Sequence, residues 1–213
     1  MFSLRLYIIL DKSLIGRKSE VDLASRAIEG GATAIQLRDK FSDDQRLIRV
    51  GTKLRKITRK NKVGLIINDR IDIALAVDAD GVHLGQEDLP LKFARRLIGK
   101  RIIGISTHSL VQAKRAEKEG ADYISVGPIF RTSSKPELVP VGTAIISRIK
   151  KEVNLPLVAI GGIKPDNIKK VIARNPEGIA IASAVLKSKK IENSTLKIAN
   201  LLNAKSAKGT HRS

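Results

Sequence analysis

Cysteine is absent from the 213 residues, which excludes disulfides and thiolate chemistry and is compatible with a reducing, cytoplasmic setting. Aromatic residues make up only 3% of the chain, so the stacking platforms that single-stranded nucleic acid needs are scarce. Long apolar runs are missing too. The N-terminal "MFSLRLYIILDKS" holds a few apolar residues before Asp11. That run is too short to span a bilayer and lacks a signal-peptide cleavage pattern, so it reads as a first strand. No glycine-rich dinucleotide fingerprint follows it, since "LDKSLIGRKSE" stands there instead. Acidic residues are outnumbered, 21 against 40 Lys and Arg, for a formal charge of +19. Such a surface steers anionic substrates, and it is the one feature that motivates a nucleic-acid reading, against which the missing aromatics count. A Lys-rich surface that follows genome composition is the plain alternative.

With 42% hydrophobic residues, the chain has enough apolar matter for one large globular core. Short apolar runs recur: "LRLYIIL", "ATAIQLR", "VGLIIN", "GVHL", "RIIGIS", "DYISVG", "LPLVAIG" and "EGIAIA". Each has the length and β-branched content of a strand buried on both faces. Helical periodicity fills the gaps, as in "SEVDLASRAIEGG", "SDDQRLIRVGTKLRKITRK", "SLVQAKRAEKEG" and "GTAIISRIKKEV". Glycines in "EGGAT" and "KEGADY" stand where helix C-caps belong. Eight strands alternating with helices predict a single (β/α)8 TIM barrel, with a doubly wound open sheet as the alternative. Polar residues follow many different strands rather than one switch point, which favours the barrel. The barrel domain is expected over 1–203, with 204–213 as a basic, flexible C-terminal tail.

The segment "TAIQLRDK" places Gln36, Arg38 and Lys40 two residues apart, so a strand aims all three the same way. Burying that polarity requires a ligand or a paired network. Other strand ends carry Asn68 and Asp69; His83, Gln86 and Asp88; and Ser106, while "GPIFRTSSKPE" follows strand six. Adjacent barrel strands lie about 4.8 Å apart, so Asp69 and Asp88 can bracket one cation. An oxygen-only donor set suits Mg²⁺ rather than Zn²⁺; the competing reading makes Asp69 a helix cap and Asp88 a loop turn. Thr132, Ser133 and Ser134 offer hydroxyls and Lys135 a point charge, which suits a phosphate or diphosphate, or else a solvated loop. Gly161, Gly162 and the amides near Ser183 fall after strands seven and eight, where barrels of this kind commonly bind phosphate. His83 reads as a satisfied core histidine, His108 as part of a helix cap, and His211 carries no argument.

Together "QLRDK", "INDRIDIALAVDADGVHLGQEDLP", "GISTHS", "YISVGPIFRTSSK" and "VAIGGI" resemble thiamine phosphate synthase over nearly the whole chain. That resemblance implies a Mg²⁺-assisted transferase joining hydroxymethylpyrimidine diphosphate to a thiazole phosphate, with release of diphosphate. It implies that Gln36, Arg38, Lys40 and Asn68 meet the pyrimidine diphosphate and that Asp69 and Asp88 hold Mg²⁺. Ser106 would touch the pyrimidine and the departing diphosphate, and Lys135 would bind the diphosphate. Lys135, Ser106 and Arg38 are thereby the candidate catalytic residues. Thr132 and Ser134 would face the thiazole phosphate, and Gly162 and Ser183 would give backbone amides to phosphate. On this view Arg38 and Lys40 find their missing partners in the diphosphate and its metal.

Two positions depart from the family pattern. "TSSK" has Ser134 where the family usually has threonine, and Ala182 replaces a larger aliphatic residue. A thiazole tautomerase of the same fold is the nearest rival, but the resemblance implies that such relatives do not keep Arg38, Lys40, Asp69, Asp88 and Lys135 together. A basic nucleic-acid-binding barrel is a rival from another class. Barrels of this family often form small homo-oligomers, so a homo-oligomer is a further expectation.

Overall fold

The structure, a computed structural model, describes residues 2–132 and 136–209. Eight parallel strands form a closed barrel in chain order: β1 (Leu6–Asp11), β2 (Ala34–Arg38), β3 (Gly64–Asn68), β4 (Gly81–Leu84), β5 (Ile102–Thr107), β6 (Tyr123–Val126), β7 (Leu157–Ile160) and β8 (Gly178–Ile181). Pairing of Tyr7 with Ala180 joins β8 to β1 and closes the ring. The helices are α1 (Lys12–Ile15), α2 (Glu20–Glu29), α3 (Asp44–Lys60), α4 (Ile71–Ala76), α5 (Leu91–Ile98), α6 (Leu110–Glu119), α7 (Ala144–Lys150), α8 (Ile168–Ile172), α9 (Ser183–Leu186) and α10 (Ile191–Gly209). The expected barrel is therefore present. Its last helix runs past the expected boundary at Asn203 to Gly209, and 210–213 lie outside the described residues. Among the described residues, no helix is long and apolar enough to cross a membrane.

Local chemistry explains most element ends. Ser19, Asp43 and Ser109 accept from the backbone N–H groups of Asp22, Arg46 and Gln112, satisfying donors that the first helical turn leaves unpaired. Gly120 ends α6 in the left-handed conformation, at φ 89°, as the sequence implied. After α2 the pattern differs: Gly30 stays at φ −78°, and Gly31 takes the positive φ of 94°.

Strand alternation sorts the core into two volumes. Leu6, Ile8 and Leu10 of β1, with Ile35, Leu37, Leu65 and Ile67, belong to the large apolar layer between sheet and helices. Tyr7, Ile9, Ala34, Ile66, Tyr123, Val158 and Ala180 fill the barrel interior. Space there is tight. A Cβ on Gly104 would lie 2.0 Å from the Tyr123 ring, and one on Gly64 would lie 2.2 Å from the Phe2 ring. Glycine at these two positions makes room for the aromatic rings.

A repeated brace holds the N-terminal ends of the odd strands. The residue just before each even strand accepts a backbone N–H from the preceding odd strand: Thr33 from Leu6 at 2.9 Å, Asp80 from Leu65 at 2.8 Å, Asp122 from Ile103 at 2.7 Å and Glu177 from Leu157 at 2.9 Å. The same four residues each return their own N–H to the carbonyl of that odd-strand residue at 2.9 Å. The three acidic members are also ion-paired, with Arg55, Arg95 and Lys150 from the helix before the odd strand. Removing the acceptor of a buried strand N–H, as on Ile103, costs more than a surface ion pair is worth. Asp122→Ala is therefore expected to lower unfolding free energy by about 1–3 kcal/mol. Asp166→Ala, at the exposed Lys164–Asp166 pair, should change it by less than about 0.5 kcal/mol. Urea unfolding midpoints of the two variants check this.

Candidate functional site

The C-terminal ends of the strands open into a cavity lined by Gln36, Arg38, Asn68, Ser106, Thr132, Gly162 and Ser183, all expected at the site from the sequence. They come from β2, β3, β5, the loops after β6 and β7, and the first residue of α9. Inward parity unites the strand members: in register Gln36 lies beside Ile9 and Ile66, Asn68 beside His83, and Ser106 beside Ser125. Ala182, the smaller residue noted near β8, also lines the cavity. Ser134 and Lys135 lie outside the described residues.

The cations at the mouth are paired by the chain itself, the paired network that their polarity allowed as the alternative to a ligand. Arg38 donates through Nη1 to Asp11 Oδ2 at 2.6 Å. Asp11 Oδ1 accepts from the Ser13 amide at 3.0 Å and the Ser13 hydroxyl at 2.6 Å, so the carboxylate is held from both sides. Asp11 is buried, and pairing with Arg38 is what makes its charge tolerable there. Lys40 stands beyond the end of β2, half exposed, with Nζ 2.9 Å from Asp69 Oδ2. Its position on the rim, rather than inside, follows from β2 ending at Arg38.

Asp69 and Asp88 do meet. Asp69 follows β3 at a positive φ of 61°, its N–H bonded to the His83 carbonyl at 2.9 Å. Asp88 Oδ2 accepts the Gly85 N–H at 2.6 Å. Partial burial, and then the Asp69 carboxylate against it, push the Asp88 carboxyl above its ordinary value; the Gly85 N–H and Lys40 oppose the shift. Two carboxylates forced together form a natural cation site. Among the described residues no group of three or more His, Cys, Asp or Glu gathers. The chain thus offers two carboxylates and leaves the remaining positions to water or phosphate oxygens, which is how Mg²⁺ is usually held.

The end of the cavity that follows β7 is built by backbone. Gly161 and Gly162 follow β7 with φ of 95° and 65°. A Cβ on Gly162 would lie 2.5 Å from the Arg131 carbonyl oxygen, so only glycine fits against the loop after β6. Asn167 Nδ2 ties the Gly162 carbonyl at 2.9 Å, and the Phe130 N–H donates to the Gly161 carbonyl at 3.0 Å.

Several cavity residues were missed or set aside on sequence grounds. Asp11 ends β1 as Arg38 ends β2, a parallel that register alone would reveal. His83 is buried, as expected, yet it lines the cavity, with Nε2 3.0 Å from Ser106 Oγ and 3.2 Å from Ser125 Oγ. His108 lines it too, and its Nδ1 contacts the Gly127 carbonyl. Gln86 donates to the Ser106 carbonyl and accepts from Arg115, so it acts behind the wall of the cavity.

Comparison with known proteins places this architecture. A family profile described as thiamine monophosphate synthase matches residues 6–185. The thiamine-phosphate synthase of Chloroflexus aurantiacus is 46% identical over 183 residues, 85% of either chain. That of Clostridium novyi is 41% identical over 199 residues, 92% of this chain and 98% of its own. A solved thiamine phosphate pyrophosphorylase from Pyrococcus furiosus superposes with a TM-score of 0.88 at 40% identity, covering 94% of this chain and 96% of that one. A 3-hexulose-6-phosphate synthase, at 16% identity and a TM-score of 0.70, shares the fold alone.

The carboxylate pair carries a cost that the fold should reveal. A carboxyl whose pKa is higher folded than unfolded destabilises the fold once ionised. That cost is complete above the folded pKa and gone below the unfolded value of about 3.9. Asp88→Asn is thus expected to raise the melting temperature of the metal-free protein at pH 7. The gain should shrink as the pH falls towards about 4. Calorimetry across that range checks the sign.

Proposed function

This chain belongs to the thiamine monophosphate synthase family, and on that premise we propose how its cavity makes thiamine phosphate from two anionic substrates. The protein is a transferase. The substrates are hydroxymethylpyrimidine diphosphate and a thiazole phosphate, and the products are thiamine phosphate and diphosphate. One observation carries the assignment of roles: seven residues expected from the sequence line a single cavity, and Asp69, which meets Asp88, directly follows the lining residue Asn68.

The bond between the pyrimidine methylene carbon and diphosphate largely breaks first, and the thiazole nitrogen then attacks the pyrimidine cation that is left. The electron pair of that bond leaves with the diphosphate. Such a step needs charge neutralised on the leaving group, a dry pocket for the pyrimidine cation, and the nucleophile held in line. Arg38, Lys40 and Lys135 face the diphosphate. Arg38 and Lys40 rest on Asp11 and Asp69 until it arrives, so they are aimed beforehand at little cost in side-chain freedom. Gln36, Asn68 and Ser106 hold the pyrimidine. Thr132, Ser134 and the amides at Gly162 and Ser183 hold the thiazole phosphate. Asp69 and Asp88 would hold Mg²⁺, whose charge neutralises diphosphate oxygens when bound. The setting is cytoplasmic.

Purified protein given both substrates should release diphosphate only when Mg²⁺ and the thiazole phosphate are both present. Release that ignores either would overturn the reading. Lys135→Ala should cut kcat by about 10²–10³-fold with an unchanged fold, as loss of one charge-stabilising donor does. Asp88→Asn should raise the Mg²⁺ concentration needed for half-maximal rate. Wild-type kinetics for both variants at limiting Mg²⁺ would remove the assigned roles.

A further inference from the structure

A line of polar side chains runs through the barrel interior beneath the cavity. Gln36 Nε2 donates to the Tyr7 hydroxyl at 2.7 Å, and the Tyr7 and Tyr123 hydroxyls lie 3.1 Å apart. The Tyr123 hydroxyl lies 2.8 Å from His83 Nδ1, and His83 Nε2 lies 3.0 Å from Ser106 Oγ. Tyr7, Tyr123, Gln36 and His83 are all buried. Burial raises the pKa of both phenols, so each keeps its proton at neutral pH.

Each hydroxyl has one proton to place, and leaving a buried one without an acceptor is costly. Because Gln36 donates to Tyr7, the Tyr7 proton must go to Tyr123. The Tyr123 proton must then go to His83 Nδ1. His83 is left with its proton on Nε2, directed at the Ser106 and Ser125 oxygens. The reverse order satisfies every proton only if Gln36 turns its amide over. Amide orientation at one end and tautomer at the other are therefore a single choice.

We infer that Tyr7 and Tyr123 are positioning residues that set the hydrogen-bonding polarity of the pyrimidine pocket. Gln36 gives one of its two amide N–H groups to Tyr7, which anchors the amide so that its carbonyl oxygen is the acceptor offered to the cavity. Ser106 accepts from His83 and presents its hydroxyl proton. Gln36 from β2 and Ser106 from β5 thus offer an acceptor and a donor to one cavity, and a ring lying between them is matched when it bears an amino group and a bare ring nitrogen. They mismatch the corresponding oxo ring, whose edge is reversed. The choice of an aminopyrimidine over its oxo analogue thus rests on two tyrosines below the pocket, and this deepens the reading of the site given above.

The test begins without substrate. Nitrogen-15 NMR of histidine-labelled protein, with the His83 signals identified by their loss in His83→Asn, should show His83 neutral and protonated on Nε2. Tyr123→Phe should convert it to a mixture of tautomers. Tyr7→Phe should keep the Nε2–H form, since Tyr123 can still donate. In coupling assays the unaltered protein should prefer hydroxymethylpyrimidine diphosphate over its 4-oxo analogue by at least about 10²-fold in kcat/KM, and either variant should narrow this to about tenfold or less. A proton on Nδ1 in the unaltered protein, or a tautomer indifferent to Tyr123→Phe, would overturn the inference. The tautomer is read without any turnover, so failure of coupling altogether would remove the proposed function and leave the proton order standing.

Discussion

Pairing of β8 with β1 is the constraint on which the rest depends. Once the ring is closed, every second residue of every strand must face one shared interior, and strand ends far apart in sequence become neighbours. Gln36, Asn68, His83, Ser106 and Ser125 meet for that reason alone. The acidic braces at the opposite end of the barrel anchor the odd strands, and each joins a strand, the helix before it and the start of the next strand. Stability and chemistry are thereby separated, the braces at one mouth and the polar cavity at the other.

Polarity inside that cavity is managed by internal partners. Asp11 neutralises Arg38, Asp69 neutralises Lys40, and the tyrosines absorb the inner polar atoms of Gln36 and His83. A site for a diphosphate must hold cations before the anion arrives, and unpaired cations in a half-buried setting would be costly. Ion pairs within the chain resolve this. They also make the site less positive than the +19 of the whole chain implies.

The Asp69–Asp88 pair is a place where local stability is sacrificed. Burial and like charge raise the Asp88 pKa, and nothing in packing requires the two carboxylates to meet. Conflict of this sort at a pocket rim is typical of groups arranged for a ligand.

The sequence by itself determined the barrel, because strands buried on both faces and helices with one apolar face each leave a distinct period in the chain. It also determined most of the rim, since polar residues at the ends of buried strands stand out against their neighbours, as Gln36, Asn68 and Ser106 do. What it concealed were partners. Asp11 resembles a turn residue until β1 lies beside β2. His83 resembles a core histidine until β4 sets it against Ser106 and Tyr123. Tyr7 and Tyr123 look like ordinary apolar filler in their strands. Only the tertiary structure decided which charges and protons meet, because hydrogen bonds and ion pairs act over a few ångströms while their partners lie 23 to 116 residues apart along the chain.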